Sequence, residues 1–89
     1  MKKNVNRNHD LIKKEIAQFI QKKYMKETTE QLTYEYPLLV KGVIDSLSMM
    51  TILLFIEKQY DLNFYAIDVK RDDFESINTI SNLVYLNLK

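Results

Sequence analysis

Apolar residues recur at helical spacing in three separate segments of this 89-residue chain, and this pattern constrains the fold more than any other feature. The first and last segments are amphipathic, whereas the middle one, residues 46–60, is apolar on more than one face. A run such as Leu38–Val40 is short enough for a strand, but no second strand-like run exists to pair with it. Helices of this kind must pack against one another, so the sequence predicts an all-α fold.

Capping residues and turn residues set the expected helix boundaries. The expected elements are a first helix capped by Asn8 or Asp10 and running to about Met25, a second helix from Ser46 to about Tyr60, a short helical turn within Ala66–Arg71, and a last helix capped by Ser76 or Asn78 and ending near residues 86–88. Residues 27–44 form a long apolar connection that we expect to pack across the helices. The predicted fold is therefore an irregular four-helix bundle with three main helices, one short helix and a long apolar loop after the first helix.

The bulk composition fits one small domain, residues 9–89, preceded by a flexible basic arm, residues 1–8. The chain has no cysteine, which excludes disulfides, cysteine-bound zinc and thiol chemistry of its own. No apolar stretch is long enough to span a bilayer, and the N-terminus lacks the pattern of a secretory signal. We therefore expect a monomer in the cytoplasm, with no membrane span.

The charges are divided unevenly along the chain, although the net charge is only +1. Residues 1–44 carry a net charge of +4 and residues 45–89 a net charge of −3. The basic residues near the N-terminus lack interleaved aromatic residues and are not dense, so a solvated tail is favoured over binding of nucleic acid or anionic lipid. These basic residues are Lys2, Lys3, Arg7, Lys13 and Lys14.

Asp45-Ser46-Leu47 stands directly before the helix-patterned run Ser48–Tyr60. A serine in this position lies at a helix N-terminus, where backbone N–H groups and the positive end of the helix dipole favour an anion. This position would tolerate a phosphodiester on the serine hydroxyl.

Three blocks of the chain resemble the acyl carrier protein and peptidyl carrier protein family. Residues 37–47 are similar to the family's loop that ends in Gly-x-x-Asp-Ser-Leu, here Gly42 to Leu47. Residues 55–64 resemble its apolar-apolar-Glu-x-x-aromatic helix end and the following loop. Residues 73–80 resemble its Asn-Phe-x-Ser-Ile-x-x-Ile entry into the last helix. The three blocks follow the family's order, and the resemblance extends over nearly the whole chain from about residue 9.

The resemblance implies that Ser46 is esterified by a 4′-phosphopantetheine arm, transferred from coenzyme A by a separate phosphopantetheinyl transferase. The terminal thiol of the arm would carry an acyl or aminoacyl group as a thioester, for a fatty-acid, polyketide or related biosynthetic pathway. By the same resemblance, Asp45 helps the transferase to hold its magnesium ion and orients the serine, although it could simply cap the helix. The protein itself would not be an enzyme.

A second apolar stripe, formed by Leu47, Met50 and Leu54, lies beside this serine, and we expect it to be partly exposed. It is suited to docking the transferase and the enzymes that load and process the acyl group, with Glu57 as a secondary contact. Many family members have a strongly acidic second helix, whereas this chain has Ser48, Thr51 and Lys58 there. This departure favours a dedicated partner.

Other functions fit parts of the sequence less well. A hydrolase with Ser46 as nucleophile is disfavoured, because the only histidine, His9, lies near the N-terminus and Gly-x-Ser-x-Gly is absent. A metal site at Asp68, Asp72, Asp73 and Glu75 is disfavoured because the spacing does not match an EF-hand loop. The serious alternative is a carrier-like fold that acts only as a protein-interaction module, without a prosthetic group.

A further hypothesis concerns storage of the cargo inside the bundle. An acyl chain could enter the predicted core, provided that its packing is loose, because cavities cost about 24 cal/mol per Å³. The residues expected to line that core are Ile52, Leu53, Ile56, Phe64, Ile77, Ile80 and Val84.

Overall fold

The protein is all-α in the computed structural model, which describes residues 8–26, 31–64 and 69–88. Within these described ranges there are three α-helices, α1 (His9–Tyr24), α2 (Ser46–Tyr60) and α3 (Ile77–Asn87), and a 3₁₀-helix at Arg71–Phe74, joined by irregular segments. In the same ranges no residue lies in a β-strand. The prediction of an all-α fold is confirmed for the described residues.

Helix α1 begins where a side chain can satisfy its free amide groups. The Asn8 side-chain oxygen accepts the N–H of Asp10 at 2.9 Å and that of Leu11 at 3.3 Å. Asn8 is thus the cap of α1 rather than part of a loose arm, and residues 1–7 lie outside the described residues. The bounds of α2 are those predicted, and Asp61 ends this helix in the left-handed conformation at φ 56°.

Helix α3 begins with a reciprocal capping arrangement between Ser76 and Thr79. The Ser76 amide donates to the Thr79 hydroxyl at 3.0 Å, and the Thr79 amide donates to the Ser76 hydroxyl at 3.3 Å. Of the two predicted caps Ser76 is therefore the correct one, whereas Asn78 lies inside the helix.

The short helical turn predicted within Ala66–Arg71 falls largely on residues 66–68, which lie outside the described part of the chain, so it stays a prediction. The described residues after this gap form a 3₁₀-helix at Arg71–Phe74. The Lys70 amide donates to the Asp73 carboxylate at 2.8 Å and thereby fixes the start of this 3₁₀-helix. Its last residue, Phe74, is 2% exposed and anchors the turn in the core.

The described part of the connection between α1 and α2, residues 31–45, packs against the entry to α3. The Leu38 amide donates to the Glu75 carbonyl at 2.8 Å, and the Asn78 amide donates to the Tyr34 carbonyl at 3.0 Å. Leu38 is fully buried, as the apolar character of this segment predicted. The alternative of a strand at Leu38–Val40 is wrong, because these residues form a turn.

The core is built mainly from isoleucines of all three helices. Two contacts join α1 to α2: the rings of Phe19 and Phe55 stack at 4.0 Å, and the Tyr60 hydroxyl donates to the Glu15 carboxylate at 2.7 Å. Of the predicted core residues, Leu53 and Phe64 are only half-buried at its edge. The fully buried apolar side chains are Ile12, Ile16, Ile20, Leu38, Ile52, Ile56, Ile77, Ile80 and Val84.

Helix α1 is also held against α3 at its N-terminal end. The His9 ring stacks on the Tyr85 ring at 4.7 Å, and its Nε2 atom lies 3.2 Å from the buried Ser81 hydroxyl. Because the Ser81 hydroxyl donates to the Asn78 carbonyl at 3.0 Å, its oxygen is left to accept the imidazole N–H. These contacts place the start of α1 beside the middle of α3.

Candidate functional site

The start of α2 is organised by one carboxylate, that of Asp45. Its Oδ1 atom accepts the backbone N–H of Ser48 and also the Ser48 hydroxyl, each at 2.9 Å. The Asp45 carbonyl accepts the Met49 amide, which is the first hydrogen bond of the helix. Asp45 is therefore the cap of α2, and Ser46 is its first helical residue.

The hydrogen bonds from Ser48 also govern the charge of Asp45. The Ser48 backbone N–H, followed by the Ser48 hydroxyl, lowers the pKa of the Asp45 carboxyl below its ordinary value of 3.8, because both donors favour the ionised form. Asp45 is exposed, so the carboxylate stays in contact with water. The start of α2 thus presents a fixed negative charge directly beside Ser46.

The Ser46 side chain is exposed, and no hydrogen bond from the described part of the chain engages its hydroxyl. The Leu47 backbone N–H is directed to the Asp45 carboxylate, as its effect on the Asp45 pKa shows, whereas no hydrogen bond of the Ser46 backbone N–H is seen among the described residues. A phosphate esterified to the Ser46 hydroxyl would lie near the Ser46 N–H at the positive end of the α2 dipole. The arrangement is chemically suited to carry an anionic substituent.

An exposed apolar patch follows Ser46 along α2. Leu47 is 77% exposed, Met50 58% and Leu54 63%, and their spacing of three and four residues places them on one face of the helix. The predicted exposure of these three side chains is confirmed. Val40 belongs to the apolar connection that was expected to pack across the helices, but it is 82% exposed in the turn before α2, so the expectation is wrong for this residue.

Glu57, predicted as a secondary partner contact, has a hydrogen bond within the fold. Its side chain is half-buried, and Oε2 accepts the backbone N–H of Phe64 at 2.9 Å. The carboxylate therefore holds the segment that follows α2. A role in partner binding stays a prediction, and a partner would meet this carboxylate already engaged on one oxygen.

The hydroxyl of Ser48 is the feature of this site that the sequence interpretation missed. Ser48 was noted only as a departure from the family pattern, whereas the structure makes it a donor to Asp45. The signal was the spacing of an aspartate and a serine three residues apart at a helix start, which is the spacing of a cap and its third helical residue.

The remaining candidate groups lie elsewhere in the fold. His9 contacts Ser81 and Tyr85 on α3. Among the described residues, no three acidic, histidine or cysteine side chains are grouped so that they could hold a metal ion, and Asp68 lies outside these residues. In the same part of the chain no helix has both the length and the apolar character that crossing a membrane requires.

Comparison with known proteins adds no assignment: no protein-family model, no curated protein and no solved structure matches this chain.

Proposed function

We propose that this chain is a stand-alone carrier protein that bears its cargo as a thioester on a 4′-phosphopantetheine arm attached to Ser46. The observation that carries the proposal is the exposed hydroxyl of Ser46 at the first position of α2, which no side chain or backbone group of the described residues engages. The motif resemblance around Gly42 to Leu47 supports the same residue. The protein would act as a monomer in the cytoplasm and would have no catalytic activity of its own.

The donor set at Ser46 fits the phosphodiester of such an arm. The Ser46 side-chain oxygen would form the ester bond to phosphorus, and the Ser46 backbone N–H at the helix start can donate to a phosphate oxygen. When bound, the arm supplies a terminal thiol, which this cysteine-free chain lacks. The chain's own part is to hold that anion at the end of a rigid helix and keep it open to partner enzymes.

Asp45 would act during loading, when the transferase brings its magnesium ion to Ser46. Its carboxyl is exposed and ionised at neutral pH, as a metal ligand must be. Both hydrogen bonds from Ser48 end on Oδ1, and neither uses Oδ2. Ser48 would thus position Asp45 for the transferase.

The patch of Leu47, Met50 and Leu54 would dock the transferase and the enzymes that load and process the cargo. The only charged residues of α2 are Glu57 and Lys58, one acid and one base, so the helix has no net charge to attract a basic partner. We therefore expect partner affinity to depend weakly on salt. A steep loss of affinity between low and moderate salt, measured with the purified partner, would contradict this part of the proposal.

The cargo class follows from the partner rather than from the carrier, so the proposal covers a fatty acyl, polyketide or aminoacyl group. Each class needs the same attachment at Ser46. Incubation of the holo protein with an acyl-loading or an adenylating enzyme, followed by intact-mass measurement, distinguishes these cargoes.

The attachment is tested by incubating the protein with a phosphopantetheinyl transferase and coenzyme A and measuring the intact mass. We expect a gain of one phosphopantetheinyl group, abolished in Ser46→Ala. Thr51→Ala is the matched control, since it removes another hydroxyl of α2, one that donates to the Leu47 carbonyl, and keeps Asp45, Ser46 and Ser48. Equal modification of Ser46→Ala and the wild type would contradict the assignment.

A second candidate function is that of a helical protein-interaction module without a prosthetic group. The specific observation in its favour is the exposed apolar patch on α2, which would serve a partner whether or not Ser46 is modified. Absence of any mass gain with several transferases would favour this function over that of a carrier. The effect of Met50→Glu on partner binding cannot separate the two functions, because both require the patch.

A further inference from the structure

We propose that the groove between α1 and the connection that follows it binds an acidic segment of a partner protein, with an apolar side chain as its anchor. This groove is shallow and largely open to solvent, with a volume of about 340 Å³, and none of its described lining residues belongs to α2, so the inference goes beyond the carrier function. Its lining residues are Lys14, Ala17, Gln18, Gln21, Lys22, Leu32 and Tyr34.

The floor of the groove is apolar and is held in place by contacts with two helices. Ala17, Leu32 and Tyr34 are half-buried and face the groove. The Tyr34 carbonyl accepts the Asn78 amide at 3.0 Å, and the Lys13 ammonium lies 5.8 Å from the centre of the Tyr34 ring, a cation–π distance. The tyrosine is therefore tied both to α3 and to α1, so that a ligand would meet a largely preformed surface.

The rim of the groove is positively charged. Lys14 and Lys22 are both exposed, and they are eight residues apart on α1, which corresponds to about 12 Å along the helix. None of the described residues that line the groove is acidic, and the Glu15 carboxylate accepts the hydroxyl of Tyr60 on the side of α2. Among the described lining residues, two lysines thus flank an apolar floor.

The positive charges of Lys14 and Lys22 favour an acidic peptide segment as the ligand of this groove. An apolar side chain seated over Ala17, Leu32 and Tyr34 would place acidic residues on either side of it within reach of Lys14 and Lys22. A small molecule is a poorer match, because small-ligand sites enclose most of their ligand, whereas this groove is open along one side. An anionic membrane is also a poorer match, since lipid-binding patches use clusters of about four to eight basic residues.

The test is a titration of the ¹⁵N-labelled full chain with a synthetic peptide that carries one leucine between two pairs of glutamates. We expect amide shift changes at Ala17, Leu32 and Tyr34, with a dissociation constant that rises with salt. Lys14→Glu with Lys22→Glu should weaken binding by about tenfold or more, because two ion pairs become repulsions. The same peptide with lysines in place of the glutamates should bind this double variant better than it binds the wild type.

The matched control is Lys23→Glu with Lys41→Glu, which changes the net charge equally at two exposed lysines outside the groove. If the peptide binds in the groove, this control should change its dissociation constant by no more than about twofold relative to the wild type. Equal weakening in both double variants would overturn the proposal, as would shift changes confined to α2 or no shift changes at millimolar peptide. Binding to anionic phosphatidylserine vesicles but not to the acidic peptide would identify a membrane surface instead and also overturn it.

Discussion

The hydrogen bond between Tyr60 and Glu15 is the polar contact between α1 and α2 whose removal we expect to cost most. The two atoms are 2.7 Å apart, Tyr60 is 4% exposed and Glu15 is half-buried. Hydrogen bonds to charged groups contribute about 1.5–3 kcal/mol, and water can replace part of this at a half-buried carboxylate. Tyr60→Phe keeps the ring in the core, so we expect a loss of about 1–2 kcal/mol from the hydroxyl alone.

The assay is urea unfolding followed by circular dichroism, combined with thermal melts. In a domain of this size a loss of 1 kcal/mol lowers Tm by about 4–8 °C. Tyr24→Phe is the matched control, because Tyr24 is half-buried on α1 and its hydroxyl has no partner among the described residues. We expect the control to change stability by under about 0.5 kcal/mol. Equal losses in the two variants would refute the reasoning.

The hydrogen bond between Tyr60 and Glu15 also makes the free energy of unfolding depend on pH in the alkaline range. Burial raises the pKa of Tyr60 above its ordinary value of 10.0, and the hydrogen bond and charge of Glu15 raise it further. The unfolded chain therefore loses this proton first. The contribution of Tyr60 is complete below pH 10 and is lost as the pH rises above that value. In Tyr60→Phe the free energy of unfolding should fall less steeply above pH 10 than in the wild type. An equally steep fall in the two proteins would contradict the attribution of this loss to Tyr60.

Three further predictions concern the turn before α2 and the cap of that helix. Gly42 has φ +73°, and a Cβ atom added there would meet nothing within 4 Å, so a substitution acts through backbone strain alone. Gly42→Ala should lower the free energy of unfolding, measured in urea, by about 1–2 kcal/mol, and Gly42→Asn should lower it by less. Ser48→Ala should slow loading of Ser46 about three- to tenfold in a transferase assay, because Asp45 keeps the backbone hydrogen bond of residue 48 but loses the one from its hydroxyl, while Ser48→Thr should keep the wild-type rate. Because the pKa of Asp45 is lowered in the folded state, its contribution to stability should be present at neutral pH and lost as the pH falls below 3.8; acid melts of Asp45→Asn should lack this loss.

The helices were predictable because local signals agree with the tertiary fold. In α2 the apolar spacing and the aspartate before it both place the start at Ser46, and the structure begins the helix there. The exposure of Leu47, Met50 and Leu54 followed from the second apolar face, since a domain this small cannot bury a helix on all sides.

The features that were missed depend on contacts between distant parts of the chain. Nothing local to Glu15 indicates that it accepts the hydroxyl of Tyr60, a residue 45 positions away. The 3₁₀-helix Arg71–Phe74 was not predicted, because the burial of Phe74, not a propensity of the preceding residues, decides where the chain turns into the core. The groove of α1 likewise forms only when Leu32 and Tyr34 pack beside that helix.

The most direct measurement of the central claim is the location of the added group after incubation with transferase and coenzyme A. Cleavage after lysine releases residues 42–58, a peptide that contains Ser46, Ser48 and Thr51. Fragmentation of this peptide in the mass spectrometer assigns the group to one hydroxyl. We predict a single phosphopantetheinyl group on Ser46, and a peptide that stays unmodified, or that carries the group on Ser48 or Thr51, would contradict the proposed function.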